Sequence, residues 1–491
     1  MRRASCRGLR AEFSARGHRM KRWSWIALVT LVGLAARLFR LGVWDIGLDE
    51  AYSAYVAALP LGDLVRFIAR DDFHPPLYYL FLHVWRTAAG SSEFWLRFPS
   101  VVFGSLAVPA TYALGRELVD ERTGVVAALL LALSPLHVFH AQDLRMYALL
   151  LLLGSTALLF FVRGVQRDRP GDWLVHALFL ALSLYAHYGT FLLLAGEAVA
   201  AAFFRGSFPF RRWLLSVTAA LLAFAPWVAT LAHHASRTAP ADAVGVLLPL
   251  QQVAYALVAF TADFLPSGTP LLKSAILLVF GLAAVYGALR LGDRRASGIL
   301  VATSLGALGL ASVVGMRFRA IAVGTNVLIP RTLLLASVGY LVLLGAAVTR
   351  ARPRALGWGL LAALVTLNLF SLPRVYYGPR PLWGPWRAVA AYVAERVHRG
   401  DGIVVVSGFW ARPLDFYFHP PDGVPVVRYG GRDDLPHVVG VVRQSRRVWL
   451  VLKQPDAVDP YGRVRGLLRS REDLVAQAAF PTGIRIEVYG H

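Results

Sequence analysis

A chain of 491 residues that is 57% hydrophobic and 16% charged, with mean hydropathy +0.53, is too apolar for a soluble globular protein, which carries roughly 25% charge. Its net charge of +22 is not that of a nucleic-acid binder, because the arginines sit in short clusters between apolar runs, as cytoplasmic loops of membrane proteins do. The single cysteine, Cys6, excludes an intramolecular disulfide and a cysteine metal cluster.

The basic segment 1–22 reads as a cytoplasmic tail leading into a retained signal anchor at 23–41. Further apolar runs predict spans near 98–116, 123–140, 146–162, 172–188, 189–204, 213–231, 270–289, 297–315, 331–349 and 355–372, about eleven in all. The expected architecture is mainly α: a polytopic helical bundle over 23–373 with a first external loop at 42–97.

That loop opens with Gly47-Leu48-Asp49-Glu50-Ala51-Tyr52-Ser53. Carboxylates beside lipid are expensive and need a reason. Asp49 and Glu50 can accept a proton from a hydroxyl or hold a divalent metal. They can equally cap the helix that follows, where negative charge suits the N-terminus. Tyr52 joins them as a candidate for the substrate cleft.

Next comes His74-Pro75-Pro76, after Asp71-Asp72. Two prolines make a rigid helix start, an end that attracts phosphate, or else a plain turn with an interfacial histidine. Segment 75–88 is short and aromatic, and charge decides its path. If it does not cross, the basic loops at Arg116/Arg122, Arg163/Arg167/Arg169, Arg205/Arg211/Arg212, Arg290/Arg294/Arg295 and Arg350/Arg352/Arg354 all share the side of the basic tail. The positive-inside rule therefore favours an interfacial or re-entrant helix. Arg97, at the start of the next span, reads as a headgroup anchor.

The run from Ser134 to Tyr147 holds His137, His140, Gln142, Asp143, Arg145 and Tyr147 in one external turn. So many polar groups at a membrane surface must face a cavity or one another. His187 lies in the following external turn, and Glu197 in the next helix needs a partner. Arg331 opens a late span on the same side, with a guanidinium shaped for phosphate. After Pro373, residues 374–491 alternate strand-like runs (403–406, 424–427, 448–452, 484–488) with helical ones (386–397, 472–479), which predicts a small extracytoplasmic α/β domain. Trp383-Gly384-Pro385-Trp386-Arg387 opens it as a packing element. Walker A, His-Glu-x-x-His and Gly-rich dinucleotide signatures are absent from the sequence.

The acidic pair after the first helix, His-Pro-Pro, Arg-x-Pro-Ser at 97–100 and Gln-Asp-Leu-Arg-Met-Tyr at 142–147 occur in an order that resembles a family. It is the GT-C fold membrane glycosyltransferases of the protein-O-mannosyltransferase and aminoarabinose-transferase superfamily, glycosyltransferase family 39-like. The resemblance implies inverting transfer of a mannose-like hexose or a pentose from a polyprenyl-phosphate donor to a lipid, glycan or protein acceptor, at the outer face of a bacterial inner membrane. It gives Asp49 the role of base and Glu50 that of second acid. It assigns His74 and Arg331 to the donor phosphate; Arg145 is read beside them, and Asp143, His140, Tyr147 and His187 as candidates for the substrate cleft. Some members hold a metal near the acidic pair, so a divalent ion on Asp49 and Glu50 stays open. The C-terminal domain departs from the repeat-containing loop domain of eukaryotic protein mannosyltransferases, which weighs against a protein acceptor. Rival readings are a lipid-linked-sugar flippase or transporter, and an O-antigen ligase or polymerase.

Overall fold

The structure, a computed structural model, describes residues 24–204, 206, 208–237, 249–266, 268–310, 330–378 and 384–490. The expected basic tail with Cys6, residues 311–315 of the predicted span 297–315, and Trp383 lie outside the described residues. The chain divides into two compact units. Unit 1 comprises Met1–Leu41, Leu61–Val84 and Arg97–Gly378; unit 2 comprises Gly42–Pro60, Trp85–Leu96 and Pro379–His491.

Unit 1 is helical. Among the described residues five helices are long and apolar enough to cross a membrane: Glu93–Leu118, Tyr147–Arg167, Phe210–His234, Pro270–Arg290 and Arg354–Tyr377. A sixth span results if Glu121–Leu133 and Pro135–Ala141, bent by 60°, count as one. Ser24–Leu38, Thr190–Phe203 and Leu334–Arg350 are shorter than the apolar runs predicted as spans. Thr190–Phe203 has 14 residues, about 21 Å at 1.5 Å per residue, because His187, Tyr188 and Gly189 form a turn before it. Leu77–Ala89, the ambiguous segment, has 13 residues and is too short to cross alone a core of about 30 Å. Tyr147–Arg167 is 78% buried over its apolar window, whereas Pro270–Arg290 and Arg354–Tyr377 are each 28% buried and turn leucines outward. The first is a central helix, and the other two present the kind of surface that lipid covers.

The basic loops gather at one end of this unit. Glu117 takes Arg163 (3.4 Å) and Arg167, Asp120 takes Arg350 (2.7 Å), and Asp168 takes Arg212 (3.0 Å). Helices Tyr147–Arg167 and Leu334–Arg350 both finish there, so Tyr147 and Leu334 mark the opposite end.

The 60° bend has a chemical cause. Pro135 has no N–H, so the Leu131 carbonyl loses its helical donor. Arg37, fully buried, replaces it: Nη2 donates to Leu131 O (3.2 Å), and Nη1 donates to Ala132 O (3.0 Å) and Gly33 O (2.9 Å). Gly104 leaves room for this, since a Cβ there would stand 2.7 Å from Ala141 Cβ and 3.1 Å from Arg37 Nε. Gln142 Nε2 then donates to Arg37 O (3.0 Å) and Phe39 O (2.7 Å), which fixes the start of the polar turn.

In unit 2 a five-stranded sheet has the order β2-β1-β3-β5-β4, with β1 Asp401–Val406, β2 Val426–Tyr429, β3 Arg447–Leu452, β4 Asp473–Phe480 and β5 Ile484–Gly490. β1 runs parallel to β2 and β3, while β5 is antiparallel to β3 and β4. Alternation sorts β1: Ile403 and Val405 pack with helices Trp386–Ala394 and Ala411–Tyr417, and Val404 and Val406 with helices Leu435–Gln444 and Arg463–Arg469. The small α/β domain is thus as expected, with one correction. Residues 472–479, expected helical, form edge strand β4. The Ala-rich run has helical propensity, but the tight turn at Thr482 (φ 65°) and Gly483 (φ 80°) folds it back onto β5, and pairing overrides propensity.

The acidic helix Leu48–Ala58 belongs to this unit, and Leu48 packs on the first core face. Arg387 draws its segment in. The Arg387 N–H donates to Asp45 Oδ2 (2.9 Å), its Nε to Glu93 Oε1 (2.9 Å) and its Nη2 to Gly42 O (3.2 Å). Tyr417 Oη accepts from Ile46 N (2.7 Å).

Buried Asp401 joins β1 to β3: Arg447 donates from Nε (3.0 Å) and Nη2 (2.9 Å), Trp449 from Nε1 (3.1 Å), and His398 from its backbone N–H (3.0 Å). Asp401→Ala is expected to cost about 2–4 kcal/mol, since it strands an arginine fork and an indole N–H at once. Thermal denaturation of the full chain in detergent, followed by near-UV circular dichroism, measures this.

Candidate active site

The end of unit 1 opposite the Arg–acid pairs holds a continuous polar set. It begins in the turn between helices Leu61–Asp71 and Leu77–Ala89. Asp72 closes that turn, its Oδ1 accepting from Phe73 N (2.6 Å), His74 N (3.2 Å) and His74 Nδ1 (2.9 Å). Pro75 and Pro76 lack N–H groups and restrict the backbone, so the imidazole is held against the carboxylate. The other ring nitrogen, Nε2, lies 3.3 Å from Arg145 Nη2, and Arg145 Nη1 lies 3.4 Å from Tyr79 Oη. A carboxylate, an imidazole and a guanidinium thus stand in line. Burial works to raise the Asp72 carboxyl, but His74 at its side and Arg145 behind it outweigh that and hold it below the usual carboxylate range.

Tyr147, buried at the head of the central helix, is the second hub. The His140 ring lies 5.1 Å from it, the His187 ring 5.8 Å, and the Arg331 guanidinium 5.6 Å over its face. His187 also lies 5.9 Å from His74, which joins the two hubs. The Gly189 N–H donates to His187 Nδ1 (2.8 Å), so the ring's proton sits on Nε2. His140 Nδ1 is 3.8 Å from Asp143 Oδ2. His74, His140, Asp143, Arg145, Tyr147, His187 and Arg331 therefore come together, though they span 258 positions (331 − 74 + 1). Cationic donors and aromatic faces, flanked by the acids Asp72 and Asp143, suit an anionic ligand with an apolar or sugar body.

Asp49, Glu50 and Tyr52 lie on helix Leu48–Ala58 in unit 2. Glu50 is buried and its Oε2 accepts from the Gly47 N–H (3.0 Å), the helix-starting role that its position allowed. Asp49 and Tyr52 are half-buried. Among the described residues no three His, Cys, Asp or Glu side chains are placed to hold a metal ion.

Other polar residues have structural tasks. Arg97, expected at lipid headgroups, is buried and donates to Leu41 O (3.1 Å). His137 Nε2 pairs with Ser337 Oγ (3.0 Å). Glu197 finds its partners in His176 Nε2 (3.2 Å) and Trp213 Nε1 (3.3 Å), which ties three helices together. The sequence reading missed Asp72 and Tyr79 as members of the set. Asp-x-His before two prolines was the signal for the first, whereas nothing local marks Tyr79.

A family model for dolichyl-phosphate-mannose-protein mannosyltransferases matches residues 73–229, the stretch that includes His74, Arg145, Tyr147 and His187. Among solved structures, ArnT from Cupriavidus metallidurans is similar in the apo state (TM-score 0.66) and bound to undecaprenyl phosphate (TM-score 0.63). Each is 15% identical and aligns over 95% of this chain and 98% of that one. AglB, an archaeal oligosaccharyltransferase from Archaeoglobus fulgidus in complex with an inhibitory peptide and a dolichol-phosphate, is 14% identical over 88% of this chain and 69% of that one (TM-score 0.53). No curated protein matches by sequence. The chain has the GT-C fold and resembles the protein-O-mannosyltransferase and aminoarabinose-transferase superfamily, as the motif order implied.

Asp72 gives a stability prediction with a definite sign. Its carboxyl is depressed in the fold, so its contribution is complete above the unfolded value of about 4 and is lost as pH falls through the lower folded value. Asp72→Ala should cost about 3–5 kcal/mol at neutral pH, because it removes a buried carboxylate that His74 bonds and whose charge faces Arg145. Melting of wild type and variant from pH 7 to pH 3 should show the two curves converging as the pH drops.

Proposed function

We propose that this chain is an inverting glycosyltransferase that takes a mannose-like hexose or a pentose from a polyprenyl-phosphate donor and passes it to a cell-envelope acceptor. The observation that carries the reading is the line Asp72–His74–Arg145 in contact, through His187 and Tyr147, with Arg331. A prenyl phosphate leaving group accumulates charge as its bond to the sugar breaks, and fixed cationic donors lower that barrier most where water is sparse. The family model and the ligands named for ArnT and AglB support a lipid phosphate as that group.

In this mechanism Asp49 takes the proton from the acceptor hydroxyl. The oxygen attacks the anomeric carbon on the face opposite the phosphate, so the new bond inverts the configuration. The bonding pair of the old C–O bond moves onto the phosphate oxygen, where Arg145, Arg331 and His74 receive it. Asp72 remains a carboxylate and accepts from Nδ1 of His74, which leaves Nε2 to accept from Arg145 and so orients that guanidinium. Glu50 fixes the start of the helix that bears Asp49. Tyr147 and Tyr52 offer aromatic faces for sugar, and His140, Asp143 and His187 its polar edge. A divalent ion at Asp49 and Glu50 remains compatible with the two carboxylates. By the positive-inside rule the basic loops are the cytoplasmic end, which supports an outer-face position for the polar set in a bacterial plasma membrane.

Asp49→Asn is expected to lower transfer at least 100-fold with the melting temperature unchanged. Turnover within tenfold of wild type would remove Asp49 as base. Purified protein given a prenyl-phosphate sugar and envelope extract should release free prenyl phosphate in step with glycosylated product. Intact donor crossing liposomes without release would identify a flippase, and use of prenyl diphosphate donors alone a ligase or polymerase.

A further inference from the structure

We propose that unit 1 binds an anionic glycerophospholipid at the end of its helices away from the candidate active site. A cavity of about 800 Å³ lies there, with apolar walls from Val125, Val126 and Leu129 on one side and Leu361 on another. Arg122, which lines it, stands at the start of helix Glu121–Leu133, and the polar turn follows the end of that helix, 13 residues or about 20 Å away. The cavity also takes in Thr349, at the finish of the helix whose other end follows Arg331.

Charge identifies the occupant. Arg122 and Arg354 both line the cavity, and neither guanidinium has a hydrogen bond or ion pair to any described residue. Nearby Asp120 is taken by Arg350 (2.7 Å), so Glu121 is the one carboxylate on the lining. Two guanidiniums against one carboxylate, above apolar walls, match a phosphodiester with acyl chains beneath it. An amine-bearing headgroup would set a second cation beside the arginines, so a headgroup without an amine fits better. Trp25 and Trp358, 62% and 70% exposed, add the amphipathic rings that settle at headgroup depth. Basic pockets between membrane helices on the cytoplasmic side commonly take acidic lipid.

The test uses the full chain in detergent, titrated separately with phosphatidylglycerol, phosphatidylethanolamine and a polyprenyl phosphate under native mass spectrometry. Phosphatidylglycerol should bind about tenfold more tightly than phosphatidylethanolamine. Arg122→Ala with Arg354→Ala should abolish that preference, while Arg122→Lys with Arg354→Lys restores most of it. Quenching by brominated phosphatidylglycerol, compared between wild type and Trp358→Phe, reports the same site without touching the arginines. Equal binding of the two phospholipids by wild type, or an alanine variant that keeps the preference, would overturn the proposal. So would polyprenyl phosphate displacing phosphatidylglycerol from wild type. Neither arginine belongs to the proposed transfer machinery, so sugar transfer should stay within twofold of wild type, and the lipid-binding outcomes are independent of whether the chain is a transferase.

Discussion

A missing hydrogen-bond donor organises the polar end of the helical unit. Pro135 cannot satisfy the Leu131 carbonyl, and an unsatisfied carbonyl at membrane depth is costly enough that the chain must supply another donor. Arg37 does so from a different helix, and in doing so it lets the helix turn by 60° without leaving the Leu131 and Ala132 carbonyls unpaired. The turn brings His140, Asp143, Arg145 and Tyr147 round to meet His74, His187 and Arg331. Gln142, anchored on two carbonyls of the first helix and the turn after it, keeps the new direction.

The same rule governs every buried charge in unit 1. Glu197, His176 and Trp213 satisfy one another, and Arg97 spends a guanidinium N–H on a carbonyl. Asp72, His74 and Arg145 differ in kind. Their bonds run in a line toward further aromatic and cationic groups instead of closing within one pair of helices.

Much of this was legible in the sequence, because apolar runs, proline pairs and clusters of His, Arg and Asp are local signals. The bundle, the small α/β domain and the polar turn all follow from them. What was not legible depends on pairing between distant segments. The helix pattern at 472–479 yielded to a strand partner, and Arg97 to a carbonyl 56 positions away. The acidic pair lay, by sequence, in a loop of the membrane bundle. In the structure its helix packs with the C-terminal sheet, through Arg387 and Tyr417, which no periodicity announces.

That last attachment has a consequence in time. Asp45 bonds to a residue 342 positions later, and Ile46 to one 371 positions later. At 5–20 residues per second, a ribosome takes roughly 20–70 s to travel the shorter of those distances. Throughout that interval the segment leading into the helix that bears Asp49 lacks its bonds to Arg387 and Tyr417, and a chain cut short before Arg387 never acquires them. Completion of the polypeptide is thus the event that seats the acid, and an unfinished copy is left without its proposed base in position.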